Sequence, residues 1–203
     1  MKQYYDRRAP EYDEWYEGTG RFATRERPGW EEDVAALCDA IAALPPARTL
    51  DVACGTGYLT RWLAGEVVGL DQSESMLEIA RERVPSGRFV AGDALSLPFA
   101  GGEFERVFTG HFYGHLEEPG RTTFLAEARR VADELVVVDS ALRADVPREE
   151  WQVRILNDDS RHEVFKRYFD GEELAAELGG GEVLHAGRWF VMVRARRAAG
   201  SAG

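Results

Sequence analysis

Residues Leu50 to Thr60 read LDVACGTGYLT, and this stretch decides the fold. Leu50 to Ala53 are apolar apart from Asp51, the pattern of a buried strand end. Gly55 and Gly57 punctuate a tight turn, and Tyr58, Leu59, Trp62 and Leu63 follow at helical spacing, which predicts a helix over 58–64. Strand, glycine turn and helix make the ligand-binding corner of a doubly wound α/β fold. Glycine serves there because a ligand must approach the backbone closely and the turn needs unusual dihedrals. The pattern is Gly55-x-Gly57-x-x-Thr60, without the third glycine of the G-x-G-x-x-G turn that rests a pyrophosphate on a helix N-terminus. Asp51 at the strand end would repel pyrophosphate and suits a ligand carrying an ammonium group.

The flanking chain supplies the rest of an alternating fold. A helix begins at Trp30, with Val34, Leu37, Cys38, Ile41 and Leu44 on one face, and Pro45-Pro46 stops it. Strands are predicted at 49–53, 65–71, 89–94, 104–110 and 134–140, with a helix over 119–131 between the last two. The second strand ends in Asp71, 20 positions after Asp51, the spacing of a carboxylate that grips a ribose diol. Asp170 opens another helix, the glycines at 179–181 close it, and 182–186 and 189–194 alternate as an antiparallel hairpin around Gly187. The expectation is a Rossmann-like, doubly wound α/β fold: a mostly parallel seven-stranded sheet with a C-terminal antiparallel hairpin, in one domain spanning 1–203.

Three motifs in order resemble those of the class I S-adenosylmethionine (SAM) dependent methyltransferases of the small-molecule, ubiquinone/menaquinone-biosynthesis type. They are Asp51-x-x-Cys54-Gly55-Thr56-Gly57, Asp71-x-Ser73-x-x-Met76-Leu77, and Gly92-Asp93-Ala94 followed by Leu97-Pro98-Phe99. A fourth stretch, Tyr5-Asp6-x-x-Ala9-x-x-Tyr12-Asp13, is similar to that family's N-terminal element. The resemblance covers nearly the whole chain, and its specific motifs lie in residues 50–94. It implies SAM as cofactor, with Asp51, Ala53, Cys54, Gly55 and Gly57 at its methionine part and Asp71 and Gln72 at the ribose. Met76, Gly92, Asp93 and Ala94 would meet the adenine, Gly110 would lie near the methyl group, and Tyr12 would belong to a lid. That lid would be residues 1–29, and residues 142–170 an insertion covering the acceptor. A dinucleotide such as NAD is the competing ligand.

Residues 109–116, TGHFYGHL, place two histidines and a tyrosine just past a central strand, where ligands of open α/β sheets bind. His111, His115 and Tyr113 are the catalytic candidates, with His111 first and a purely structural histidine as the alternative. Residues 142–170 are the one basic, aromatic region of an acidic chain, and Arg154, Arg161 and Lys166 are candidates for holding an acidic group on the acceptor, against a role in offsetting surface charge. The acceptor expected is a small molecule with an acidic or phenolic group, methylated on O or N. A SAM-binding protein without methyl transfer, or a SAM enzyme of another reaction type, stays open.

Composition narrows the classes. A formal net charge of −11 argues against general nucleic-acid binding. No apolar run reaches membrane-spanning length and the N-terminus is not a signal peptide, so a cytoplasmic location is expected. The two cysteines, Cys38 and Cys54, make no disulfide framework, and no Cys/His spacing announces a metal. Cys38 reads as core. Cys54 reads as a small packing group in the turn, with a reactive thiol as the alternative. Residues 198–203, the AAGSAG tail, are expected to be disordered.

Overall fold

The computed structural model of the protein describes residues 2–197. The predicted tail at 198–203 lies outside the described residues. Five parallel strands form the main sheet: β1 (Thr49–Val52), β2 (Val67–Asp71), β3 (Arg88–Ala91), β4 (Phe104–Gly110) and β5 (Ala132–Ser140). Two strands outside it, β6 (Glu149–Ile155) and β7 (Arg161–Arg167), pair antiparallel as a separate hairpin. The last strands, β8 (Glu182–Ala186) and β9 (Phe190–Arg196), return to the main sheet, where β9 runs antiparallel to β5. Its order is β3-β2-β1-β4-β5-β9-β8. The chain therefore reverses its direction of winding between β1 and β4, the topological switch point at which an open sheet leaves a crevice.

Helices cover both faces. They are α1 (Lys2–Arg8), α2 (Glu14–Glu17), α3 (Trp30–Ala42), α4 (Glu74–Arg83), α5 (Glu118–Val131) and α6 (Gly171–Glu177). The period-two geometry of a strand divides the core into two layers. Phe108, Val136 and Val138 meet Leu37 and Ile41 of α3, whereas Val107, Leu135 and Val137 meet Phe124 of α5 and Leu174 of α6. Ser73 caps α4 by accepting from the Met76 amide at 3.3 Å, and Asp170 caps α6 by accepting from Glu172 and Glu173. Among the described residues no helix is long and apolar enough to cross a membrane.

One expectation needs correction. Residues 58–64 hold only a short 3-10 turn over Thr60–Trp62. The turn is spent on Asp51, whose carboxylate accepts from the Thr60 hydroxyl at 2.6 Å. Leu63 is then extended, and Gly65 adopts a φ of +103° that ends any helix. Within 142–170 the chain builds the β6–β7 hairpin, which packs Val164 and Leu156 against Tyr4 of α1. Trp151, Val153 and Ile155 alternate with Glu150, Gln152 and Arg154, a strand signal that charge and aromatic content obscured.

Candidate active site

The backbone of the glycine turn is bent by three left-handed residues. Ala53, Gly55 and Gly57 have φ of 58°, 55° and 73°. A side chain at Gly57 would meet the Ala80 Cα of α4 at 3.3 Å, so this glycine lets the turn rest on the helix. At Gly55 an added Cβ would meet only the Tyr12 ring, at 3.8 Å, and would fill open space between turn and ring. That space belongs to a cavity of about 580 Å³ at the carboxyl edge of β1, β2, β3 and β4.

Most of the predicted cofactor residues come together around it. Ala53, Gly55, Asp71, Gln72, Met76, Gly92, Asp93, Ala94, Gly110 and Tyr12 line the cavity, with His111 and His115 at one end. Asp71 is positioned by its own backbone bonds, accepting from the Gly55 amide at 3.0 Å and from the Ser73 amide at 2.9 Å. Burial raises its pKa while those amides oppose the rise. Asp93 accepts from the Leu95 amide at 2.9 Å. Tyr5, Leu70, Leu95, Phe112 and Leu116 also line the cavity and were not anticipated as site residues. Tyr5 was legible within the N-terminal motif, but the others are apolar residues indistinguishable in sequence from core.

Asp51, Cys54 and Gly57 do not line the main cavity. Asp51 is 2% exposed and lies beside a void of about 20 Å³ that shares Tyr12, Ala53 and Gly110 with the larger space. Its Oδ2 takes the Thr60 bond, and its Oδ1 has no partner. Burial pushes this carboxyl up to about 7, with the Thr60 bond opposing and the charge of Asp71 adding. A buried carboxyl oxygen without a partner is costly, and an ammonium group reaching from the main cavity would satisfy it. The residues present therefore fit a ligand with a ribose diol at Asp71 and an ammonium at Asp51. Cys54 also lines the small void, and burial raises its thiol far above the usual range, which makes it a packing group.

On the far side of the two histidines lies a second cavity of about 980 Å³, enclosed by the N-terminal segment, the β6–β7 hairpin and the Trp189 region. Seven basic side chains and four acidic ones line it, including Arg8, Arg154 and Lys166. His111 and His115 line both cavities, as do Tyr5 and Tyr12. The two histidines differ. His111 has a φ of 57°, its ring lies among Trp15, Tyr16 and Phe190 at centroid distances of 4.8, 5.8 and 5.4 Å, and both ring nitrogens are sealed and unbonded. Burial lowers its pKa to about 3. His115 places Nδ1 2.7 Å from the Phe165 carbonyl oxygen. A carbonyl only accepts, so Nδ1 carries the proton and Nε2 is left as a free acceptor. Burial holds this imidazole well below its ordinary pKa as well, with the positive charge of Arg154 next in effect.

Tyr113 is not brought to the site. It is fully buried against Phe124 and Phe169, and its hydroxyl donates to Glu177 at 2.8 Å. The 3-10 turn Tyr113–His115 points successive side chains in different directions, so one neighbour of His111 reaches the cavity and the other the core. Arg161 is exposed at the start of β7 and lines neither cavity, whereas Arg154 and Lys166 do. Lys166 is already engaged, donating to Asp139 at 2.5 Å.

Residues 49–134 match the family described as a methyltransferase domain. The matched stretch holds the glycine turn, Asp71 and Asp93, which is the part of the sheet that lines the first cavity. A demethylmenaquinone methyltransferase of Renibacterium salmoninarum is 38% identical to this chain over 130 residues, 63% of the chain and 52% of that protein. The chain thus spans about half the length of this relative. An uncharacterized methyltransferase of Alkaliphilus oremlandii is 28% identical over 183 residues, 87% of the chain and 81% of that protein. Among solved structures, a DhpI–SAH complex superposes on this chain with a TM-score of 0.71 at 25% identity, covering 97% of this chain and 95% of that one.

Proposed function

We propose that this protein transfers a methyl group from SAM to an oxygen or nitrogen of a small-molecule acceptor bearing an acidic or phenolic group. One observation carries the reading: two cavities, one built on the glycine turn and Asp71, meet at the histidine pair. A ligand in the first cavity can thereby present a group to a ligand in the second. The DhpI–SAH complex, a structural relative that holds the demethylated cofactor product, supports SAM as the occupant of the first.

When bound, SAM supplies a methyl on a sulfonium, and its C–S electron pair stays on sulfur as the methyl bonds to the acceptor. The chain's residues exclude water and align the two partners, an effect that can reach roughly 7–11 kcal/mol. Gly110 lines the first cavity beside the histidines, and its lack of a side chain makes room for Leu59, whose Cδ1 an added Cβ would meet at 2.7 Å. His115 receives the acceptor proton at Nε2, because its other nitrogen is committed to Phe165. His111 forms part of the aromatic wall, its nitrogens being sealed. This exchanges the order of the two candidates expected from sequence.

In this reading, residues 1–29 are a lid and 142–170 the acceptor cover of a single domain. Tyr5 and Tyr12 facing both cavities support the lid, and Arg154 and Lys166 in the second cavity support the cover. A cytoplasmic location accords with two unpaired cysteines. The test measures SAM binding by calorimetry and then S-adenosylhomocysteine release across phenol, amine and carboxylate acceptors. Tight SAM binding with release on at least one class is expected; failure of SAM to bind overturns the proposal.

A further inference from the structure

The second cavity holds cations that the protein does not neutralise. Arg8 is 8% exposed, and among the described residues its only hydrogen bond is to the Tyr4 hydroxyl, at 2.5 Å. Its guanidinium lies 5.7 Å from the centre of the Tyr4 ring and 4.9 Å from that of Tyr12. Arg154, half-buried on β6, has a single weak contact to Gln152 at 3.4 Å. Among the described residues neither arginine forms an ion pair. Of the four carboxylates that line the cavity none pairs with either arginine: Asp145 pairs with Arg143, and Glu26 is exposed. Glu11 accepts from the Asn157 amide and Glu14 from the Asn157 side chain, closing the lid onto the hairpin, while Asp139 binds Lys166. A buried guanidinium without a counter-charge is expensive, and a planar fork suits a two-oxygen acceptor.

We infer that Arg8 and Arg154 form an oxyanion clamp that selects acceptors carrying a carboxylate or phosphoryl group. This rests on the methyltransferase reading and narrows it: the anionic group anchors the acceptor, and the atom to be methylated lies toward His115. A long, neutral apolar acceptor would leave both cations desolvated and unpaired. Arg161, which the sequence offered for the same task, has no part in it.

Calorimetry on the protein saturated with S-adenosylhomocysteine, using benzoate and inorganic phosphate as probes, tests the clamp. At least one probe is expected to bind, benzoate marking a carboxylate acceptor and phosphate a phosphoryl one. Arg154→Gln is expected to weaken it at least about tenfold, and Arg154→Lys, which keeps charge but loses the fork, by about threefold. Both variants should bind S-adenosylhomocysteine as the parent does, which also reports that they fold, and Arg161→Gln should change neither affinity. If S-adenosylhomocysteine binds but neither probe does, or if Arg154→Gln binds the probes unchanged, the clamp is wrong and the methyltransferase reading survives. If the parent does not bind S-adenosylhomocysteine, the reading beneath it fails instead.

Discussion

Asp51 shows how one residue couples ligand, proton and stability. Its folded pKa of about 7 stands above the ordinary carboxylate value, so between pH 4 and 7 the native state holds a proton that the unfolded chain has lost. Stability contributed by this group therefore falls as pH rises through that window, and Asp51→Asn should flatten the slope of melting temperature against pH. An incoming ammonium needs the carboxylate ionised. Binding of SAM at pH 6 is expected to release about one proton, and at pH 8 almost none, as read from calorimetry in buffers of different ionisation enthalpy. His115 makes the complementary case. With its pKa held low it is unprotonated well into mild acid, so turnover at saturating cofactor should stay flat through pH 6, where an ordinary imidazole would be losing its base form. His115→Asn is expected to lower kcat by roughly 100- to 10,000-fold, while His111→Asn, which tolerates the left-handed backbone, should retain most of it. Equal losses in the two variants would remove the distinction.

At the scale of elements, the N-terminal segment is tied to the cofactor side and the hairpin at once. Asp6 accepts from the Ser73 hydroxyl and Asp13 from that of Thr56, each at 2.6 Å, and Asp13 also pairs with Arg83 at 2.5 Å. On the other side Arg21 pairs with Asp159, and Glu11 accepts from the Asn157 amide at 2.7 Å. Asp13→Ala leaves Thr56 and Arg83 without their shared carboxylate in a half-buried setting. A loss of about 1–3 kcal/mol is expected by chemical denaturation, together with faster SAM release by stopped flow. An unchanged release rate would mean that the segment does not gate the cofactor. The same elements show where local patterns mislead. Tyr58–Leu63 carries helical spacing, yet it is too short to outweigh the Thr60–Asp51 bond and the left-handed Gly65. The β6 alternation was visible in Trp151, Val153 and Ile155, but the strand has no main-sheet partner to announce it.

For the whole molecule, the two cavities share walls, so filling one should be felt at the other. Addition of S-adenosylhomocysteine is expected to slow amide exchange in residues 2–22 and also in 149–167, although the hairpin does not line the first cavity. Protection confined to the glycine turn and α4 would show the clasp to be loose. The sequence by itself determined the sheet and the cofactor side, because those depend on local rules: a two-residue period for buried strands, glycine where φ is positive, and a carboxylate at a strand tip. Asp51, Gly55, Asp71 and Asp93 could be picked out one motif at a time. The second cavity was decided only in three dimensions. Tyr113 and His115 are two residues apart, yet one is in the core and the other in the cavity. Arg8 is far in sequence from Arg154 and Lys166 of the hairpin, and the three differ in which of them already has a carboxylate. That pairing depends on distances set by packing, which no local pattern of residues encodes.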